Sequence, residues 1–159
     1  MGRTDAAQLP KFLVPALETI ATWERIDEAI ARYNKDDEKE IKFEELRLFG
    51  EGYGPKIQAC GGNYRSDPGF ILFDVLINDR WWLTPQDVAK MALCLGVPSV
   101  PVIATAWSEN EIVEYVKSKP KSLCSKDEQV MEGVVATAYP TVYFANGQPV
   151  KFKLKCKEF

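Results

Sequence analysis

The sequence predicts a single α+β domain over residues 1–159, and three observations predict it. Apolar residues in the first third recur at helical spacing. Short apolar or alternating runs bounded by Gly, Asn and Asp follow. Two helix-start signatures, at Thr84 and Ser108, fall among those runs. Helices first, then strands mixed with two further helices, is the α+β pattern rather than a regular strand–helix alternation.

The elements follow in order. Phe12, Leu13, Leu17, Ile20 and Trp23 lie near helical spacing, with Pro15 starting or kinking that piece, and Ile26, Ala29, Ile30 and Tyr33 continue it. The charged run Asn34 to Glu38 breaks the helix. A strand is expected from Ile41 to Phe49, ending at Gly50 in a glycine-rich stretch that runs to Asn63. Phe70 to Ile77 is apolar at nearly every position, which predicts a central strand covered on both faces. Asn78-Asp79 is a turn, and Trp81-Trp82-Leu83 returns as its partner strand. Thr84 caps a helix with Pro85 in its first turn, and Gly96 stops it after Leu95. Val100 to Ile103 is expected as a short strand. Ser108 and Glu111 form a capping box for a helix to about Lys117. Met131 to Ala138 and Val150 to Phe159 are expected as strands, with Asn146-Gly147 as the tight turn between them.

Composition excludes several functions. Apolar residues at 46% and charged residues at 27% suffice for a buried core and argue against disorder. No apolar run is long enough to span a bilayer, and no apolar segment follows Arg3 to make a signal peptide, so no membrane partner is expected. The net charge of −3 steers no partner by itself. Histidine is absent, which removes Ser-His-Asp and Cys-His nucleophiles, His-ligated zinc and His general bases. Cys60, Cys94, Cys124 and Cys156 are separated by 34, 30 and 32 residues, so no compact zinc site is expected. They read as free thiols of a cytoplasmic protein. Any chemistry must use carboxylates, lysines, arginines, backbone amides or a bound cation.

Two Glu-Gly dipeptides qualify. Glu51-Gly52 closes the strand Leu46 to Phe49, and Glu132-Gly133 heads Val134-Val135-Ala136. A carboxylate beside a glycine at a strand end can face a ligand that approaches the backbone closely; a solvated turn has the same signature. From Lys151 to Lys157 lysines alternate with Phe152, Leu154 and Cys156, so period two puts Lys151, Lys153, Lys155 and Lys157 on one face. Alternate residues lie about 6.6–6.8 Å apart along a strand, which suits successive phosphates. An edge strand kept soluble by lysines fits the pattern too. Phe73 offers either an aromatic face to a base or a core side chain.

The order GRTDAAQLP, LFGEGYGPKIQACGGNYRSDPGFILFDV, EGVV and KFKLKCKEF resembles the covalent nucleotidyltransferases, most closely the small phage and bacterial ATP-dependent RNA ligases. The resemblance covers essentially the whole chain. It implies an adenylation domain of antiparallel sheets with flanking helices around an ATP cleft. It also implies a three-step reaction. A lysine attacks the α-phosphate of ATP, AMP passes from that lysine to an RNA 5′-phosphate, and an RNA 3′-hydroxyl displaces the AMP. Carried onto this chain, Glu51 binds the ribose and Phe73 stacks on adenine. Glu132 holds Mg²⁺ or Mn²⁺ and orients the reacting groups. Lys153 and Lys155 contact the α-phosphate and its leaving group, and Arg3 lies near phosphate or RNA. Such chemistry relies on positioning and charge neutralisation and needs no histidine.

The chain departs from that pattern at one place. The family's nucleophile sits in a Lys-x-Asp/Asn-Gly motif ahead of the Gly-Arg-Thr-Asp segment, and no lysine here is followed by x-Asp-Gly or x-Asn-Gly. The expectation is an adenylation domain missing its N-terminal strands and inactive alone, its lysine lying in an absent or separate N-terminal segment. The alternatives are a non-catalytic nucleotide- or RNA-binding module, or another member of the superfamily such as a DNA ligase or capping enzyme.

Overall fold

A computed structural model of the chain describes residues 9–37, 42–57 and 61–159. The chain divides into two compact units, Met1–Val100 and Pro101–Phe159. The class is α+β, with antiparallel sheets and helices.

In the first unit the helical pattern of the N-terminal third resolves into α1 (Val14–Ile20) and α2 (Trp23–Asp37). The break has a local cause: Thr22 Oγ1 accepts the Arg25 backbone N–H at 3.3 Å and so opens α2, while Ala21 closes α1 on the Leu17 carbonyl. Ala29 and Tyr33, four residues apart on α2, are buried. They meet Val88, Met91, Ala92 and Leu95 of α3 (Pro85–Leu95) in one core cluster with Leu72, Val75 and Ile77. The α3 boundaries match the sequence expectation. Thr84 Oγ1 accepts the Asp87 N–H, Pro85 sits in the first turn, and Gly96 takes the left-handed conformation at φ 65°. Arg25 then ties the end of α3 to the α1–α2 junction, donating to the carbonyls of Leu95 at 2.8 Å, Gly96 at 3.3 Å and Thr19 at 3.0 Å. These are carbonyls a helix end leaves without partners.

The sheet of this unit runs in the order β1 (Leu46–Tyr53), β2 (Gly69–Ile77), β3 (Trp81–Trp82), all antiparallel. Asn78 and Asp79 take positive φ values of 51° and 55° in the turn before β3. The Asn78 side chain also fixes the entry of β1, accepting from the Glu44 and Glu45 amides and donating to the Lys42 carbonyl.

Three expectations change here. Strand β1 does not stop at Gly50 but continues through Glu51 and Gly52 to Tyr53. Its expected start at Ile41 lies outside the described residues; among those described it begins at Leu46. Strand β2 is not covered on both faces, because Phe73 is 41% exposed. Val100 to Ile103 is not a strand. Leu72 donates to Pro98 O and accepts from Val100 N–H, one parallel bridge at Ser99, and Pro101 then offers no N–H to carry the ladder on.

In the second unit α4 (Glu109–Lys117) carries the expected capping box. Glu111 N–H donates to Ser108 Oγ, and the Glu111 carboxylate accepts from the Ser108 amide. The Ser108 hydroxyl, donating to Glu111 Oε2 at 2.7 Å, and then the Ser108 amide hold the Glu111 carboxyl below its ordinary range. Strands β4 (Gly133–Thr137) and β5 (Lys151–Lys155) pair antiparallel. The expected strand to Phe159 ends early. Glu158 accepts from the Lys155 amide, and Cys156 to Glu158 turn into a 3₁₀ helix, so Lys157 leaves the lysine row. Among the described residues Cys94, Cys124 and Cys156 enter no disulfide; Cys60 lies outside the described residues. Among the described residues no helix is long and apolar enough to cross a membrane.

Candidate active site

The sequence-derived residues fall into two groups, one in each unit. In the first unit the alternation of β1 decides which way Glu51 points. Leu46 and Leu48 pack against the core. A Cβ on Gly50 would meet the Phe70 ring at 2.0 Å, and one on Gly52 would meet Leu13 Cδ2 at 2.4 Å. Residues 46, 48, 50 and 52 therefore face the helices. Arg47, Phe49, Glu51 and Tyr53 face away from them.

Phe73 owes its position to a β-bulge. Phe49 pairs with Asp74 but Gly50 pairs with Leu72, so Phe73 is the extra residue on β2. A regular strand would send Leu72 and Val75 to opposite faces. The bulge lets both enter the core, each 0% exposed, and releases Phe73 from it. Glu51 sits across from Ile71, two residues away. Glu51 and Phe73 thus lie beside each other at the sheet surface turned from the helices. Among the described residues no ion pair or hydrogen bond engages the Glu51 carboxylate.

This face carries residues the sequence reading missed. Arg65 lies over the Tyr53 ring, 5.4 Å from its centroid, and its guanidinium donates to both Asp67 oxygens, at 3.3 and 2.8 Å. The Asp67 hydrogen bond raises the Arg65 pKa and lowers that of Asp67. Phe49 and Trp82 stack at 5.1 Å on the same face. The period-two row Phe49-Glu51-Tyr53 is the signal for this face, and it shows only when β1 continues past Gly50 to Tyr53.

In the second unit the register sets the geometry. Gly133 pairs with Lys155 and Val135 with Lys153, which brings Glu132 to the β5 lysines. Lys153 Nζ donates to Glu132 Oε1 at 3.1 Å, and Lys155 Nζ approaches the same oxygen at 3.2 Å. The hydrogen bonds from Lys153 and then Lys155 hold the Glu132 carboxyl below the ordinary glutamate value of 4.5. The Glu132 carbonyl accepts from the Cys156 amide at 2.9 Å, pinning the residue from the backbone side. Gly133 is required by the same closeness. A Cβ there would lie 2.0 Å from the Leu154 carbonyl oxygen, a backbone atom that cannot rotate away.

A family model described as RNA ligase matches residues 7–155. The chain belongs to the RNA ligase family. No curated protein and no solved structure matches it.

In this member of the family, Glu132, Lys153 and Lys155 are brought into direct contact, and Glu51 and Phe73 share one sheet surface. Arg3 lies outside the described residues. Among the described residues no group of three His, Cys, Asp or Glu side chains converges. What Glu132 does hold among them is the two ammonium groups of Lys153 and Lys155, both on its Oε1.

Proposed function

We propose that this chain is the adenylation module of an ATP-dependent RNA ligase, joining RNA 5′-phosphate and 3′-hydroxyl ends through enzyme–AMP and RNA–adenylate intermediates. The observation that carries the reading is the contact of one carboxylate, Glu132, with two lysines on the neighbouring strand, Lys153 and Lys155. A nucleotidyl transfer accumulates negative charge on the α-phosphate and on the departing pyrophosphate. Two ammonium groups held in fixed register are suited to neutralise it without reorganisation.

In this reading Lys153 and Lys155 contact the α-phosphate oxygens and the leaving group. Glu132 orients both ammoniums until the nucleotide arrives. Glu51, whose carboxylate has no protein partner among the described residues, accepts a hydrogen bond from a ribose hydroxyl. Phe73, pushed out of the core by the bulge, stacks on adenine. Glu132 would hold Mg²⁺ or Mn²⁺ together with the nucleotide phosphates once these draw the lysines away, and the cation would supply further charge neutralisation. The first bond formed joins a lysine nitrogen to the α-phosphorus as pyrophosphate leaves. The RNA 5′-phosphate then takes the AMP, and the 3′-hydroxyl oxygen displaces AMP to form the phosphodiester.

No lysine of this chain stands in a Lys-x-Asp-Gly or Lys-x-Asn-Gly setting. That observation favours a second reading for the chain by itself, a nucleotide- and RNA-binding module. Mass spectrometry after incubation with ATP and Mg²⁺ tests both. The chain alone is expected to gain no AMP. A form of the protein that includes a Lys-x-Asp-Gly segment is expected to gain one. An adduct on any lysine of residues 1–159 contradicts the assignment of roles. ATP binding with no adduct in either form leaves the binding module.

A further inference from the structure

We infer that the β-hairpin arm following β4 is a single-strand RNA-binding surface, on which Tyr139, Tyr143 and Phe144 stack bases while the β5 lysines track the phosphates. The inference rests on the RNA ligase reading and adds to it where the RNA strand runs.

Residues 142–148 are exposed without exception. The arm is nonetheless an ordered hairpin. Tyr143 bridges Pro149, Phe144 N–H donates to the Gln148 carbonyl at 2.8 Å, and Val150 N–H donates to the Val142 carbonyl at 2.7 Å. The Asn146-Gly147 turn closes it, with Gly147 at φ 78°. Its apolar residues are not turned into a core: Val142, Tyr143 and Phe144 are all exposed, and Tyr139, at the foot of the arm, is 88% exposed. A hairpin that leaves large apolar side chains in water on both faces is built to be covered.

The charge of the segment identifies what covers it. From Glu132 to Glu158 the chain holds four lysines against two glutamates, one at each end, a surplus of two positive charges within a chain whose net charge is −3. The segment thus joins a local positive charge to exposed aromatic rings, the combination used to hold single-stranded nucleic acid without reading its sequence. The geometry places the two features in line. Lys151, Lys153 and Lys155 share a face of β5, where Thr137 lies opposite Lys151 and Val135 opposite Lys153. The ladder continues toward the arm through the Ala138 amide, which donates to the Val150 carbonyl. A strand with its reacting end at Lys153 and Lys155 would pass Lys151 and reach the aromatic arm. A second copy meeting this surface about a two-fold axis would bring its lysines against themselves, so a polyanion with bases to stack is the partner that complements both the charge and the rings.

The test uses the whole chain and a labelled single-stranded RNA of about 12 nucleotides with a 5′-phosphate, read by fluorescence anisotropy. The double variant Tyr143→Ser/Phe144→Ser is expected to bind this RNA at least ~10-fold more weakly, with ATP binding unchanged. The variant Tyr143→Leu/Phe144→Leu keeps apolar bulk and removes the rings, and is expected to lose affinity as well. RNA affinity equal to wild type in both variants overturns the inference. So does a wild-type chain that does not bind this RNA, or a change confined to sedimentation, which would make the arm a contact between copies. Failure of the wild type to bind ATP would count against the ligase reading alone, because the RNA comparison still decides the role of the arm.

Discussion

The two Glu-Gly dipeptides solve the same local problem in two regions and end in opposite electrostatic states. In each, the missing Cβ lets a neighbour close against the backbone: the Leu13 side chain at Gly52, the Leu154 carbonyl at Gly133. In each, the glutamate one residue earlier is left near the surface. Yet Glu132 is held by two lysines, whereas among the described residues Glu51 has no ion pair or hydrogen bond. A carboxylate that waits for a neutral hydroxyl can stand open in water. A carboxylate that keeps two cations in register needs them in contact before any ligand arrives. In the proposed function the same dipeptide therefore marks two different tasks, set by what the partner strand brings opposite it.

The sharpest way to break this comparison is to remove the cations singly. In a form of the enzyme that carries the nucleophilic lysine, Lys153→Ala and Lys155→Ala are each expected to slow single-turnover adenylation at least ~10²-fold, roughly 2.7 kcal/mol of transition-state stabilisation. Lys157 lies beyond the strand, in the 3₁₀ turn, and Lys157→Ala is expected to stay near the ±0.5 kcal/mol of an ordinary surface change. Equal small losses at all three positions would leave only a solubilising edge strand.

The glycines come next. Gly133→Ala sets a methyl against a backbone carbonyl and is expected to cost about 1–3 kcal/mol, read as faster amide exchange along β4 and β5. Gly52→Ala meets only the end of a rotatable leucine and is expected to cost less, read along β1. The reverse order would mean that the two close approaches are not what separates the dipeptides.

Much of this fold was legible because its signals are local. The Thr84 cap, the Gly96 stop and the Ser108–Glu111 box act within a few residues of themselves, and each appears where the chain spells it. The lysine row was legible as a period-two pattern as far as Lys155. What could not be read depends on partners distant in sequence. The bulge that releases Phe73 exists because Gly50 pairs with Leu72 and Phe49 with Asp74, a register that no alternation within Phe70 to Ile77 reveals. The end of β5 depends on Glu158 turning back to the Lys155 amide. Glu132 and the lysines stood out singly by chemistry, but their contact follows from the β4–β5 register.

Smaller effects refine the first region. Glu51→Ala is expected to reduce discrimination between ATP and its 2′- or 3′-deoxy analogues by about 1 kcal/mol, the worth of one hydrogen bond, measured as a ratio of binding constants. Phe73→Leu is expected to raise the ATP requirement and leave thermal stability nearly unchanged, since the side chain lies outside the core cluster. Wild-type behaviour in both variants would reduce the pair to surface residues.

The pH dependence refines the second. Glu132 is held below the ordinary 4.5 by its lysines, so its contribution is complete above the unfolded-state pKa and is lost as pH falls through the lowered value. Its side-chain carboxyl carbon is expected to titrate with a midpoint below 4.5, and Lys153→Ala is expected to move that midpoint upward. A midpoint indifferent to Lys153→Ala would contradict the contact.

The most direct measurement is the phosphorus NMR spectrum of ATP titrated with the chain in the presence of Mg²⁺. A shifted α-phosphate resonance is expected in the wild type. Glu51→Ala should reach it at higher ATP, and the double variant Lys153→Ala/Lys155→Ala should not reach it. An α-phosphate resonance unmoved at saturation, or equally shifted without the two lysines, would contradict the phosphate contacts proposed for Lys153 and Lys155.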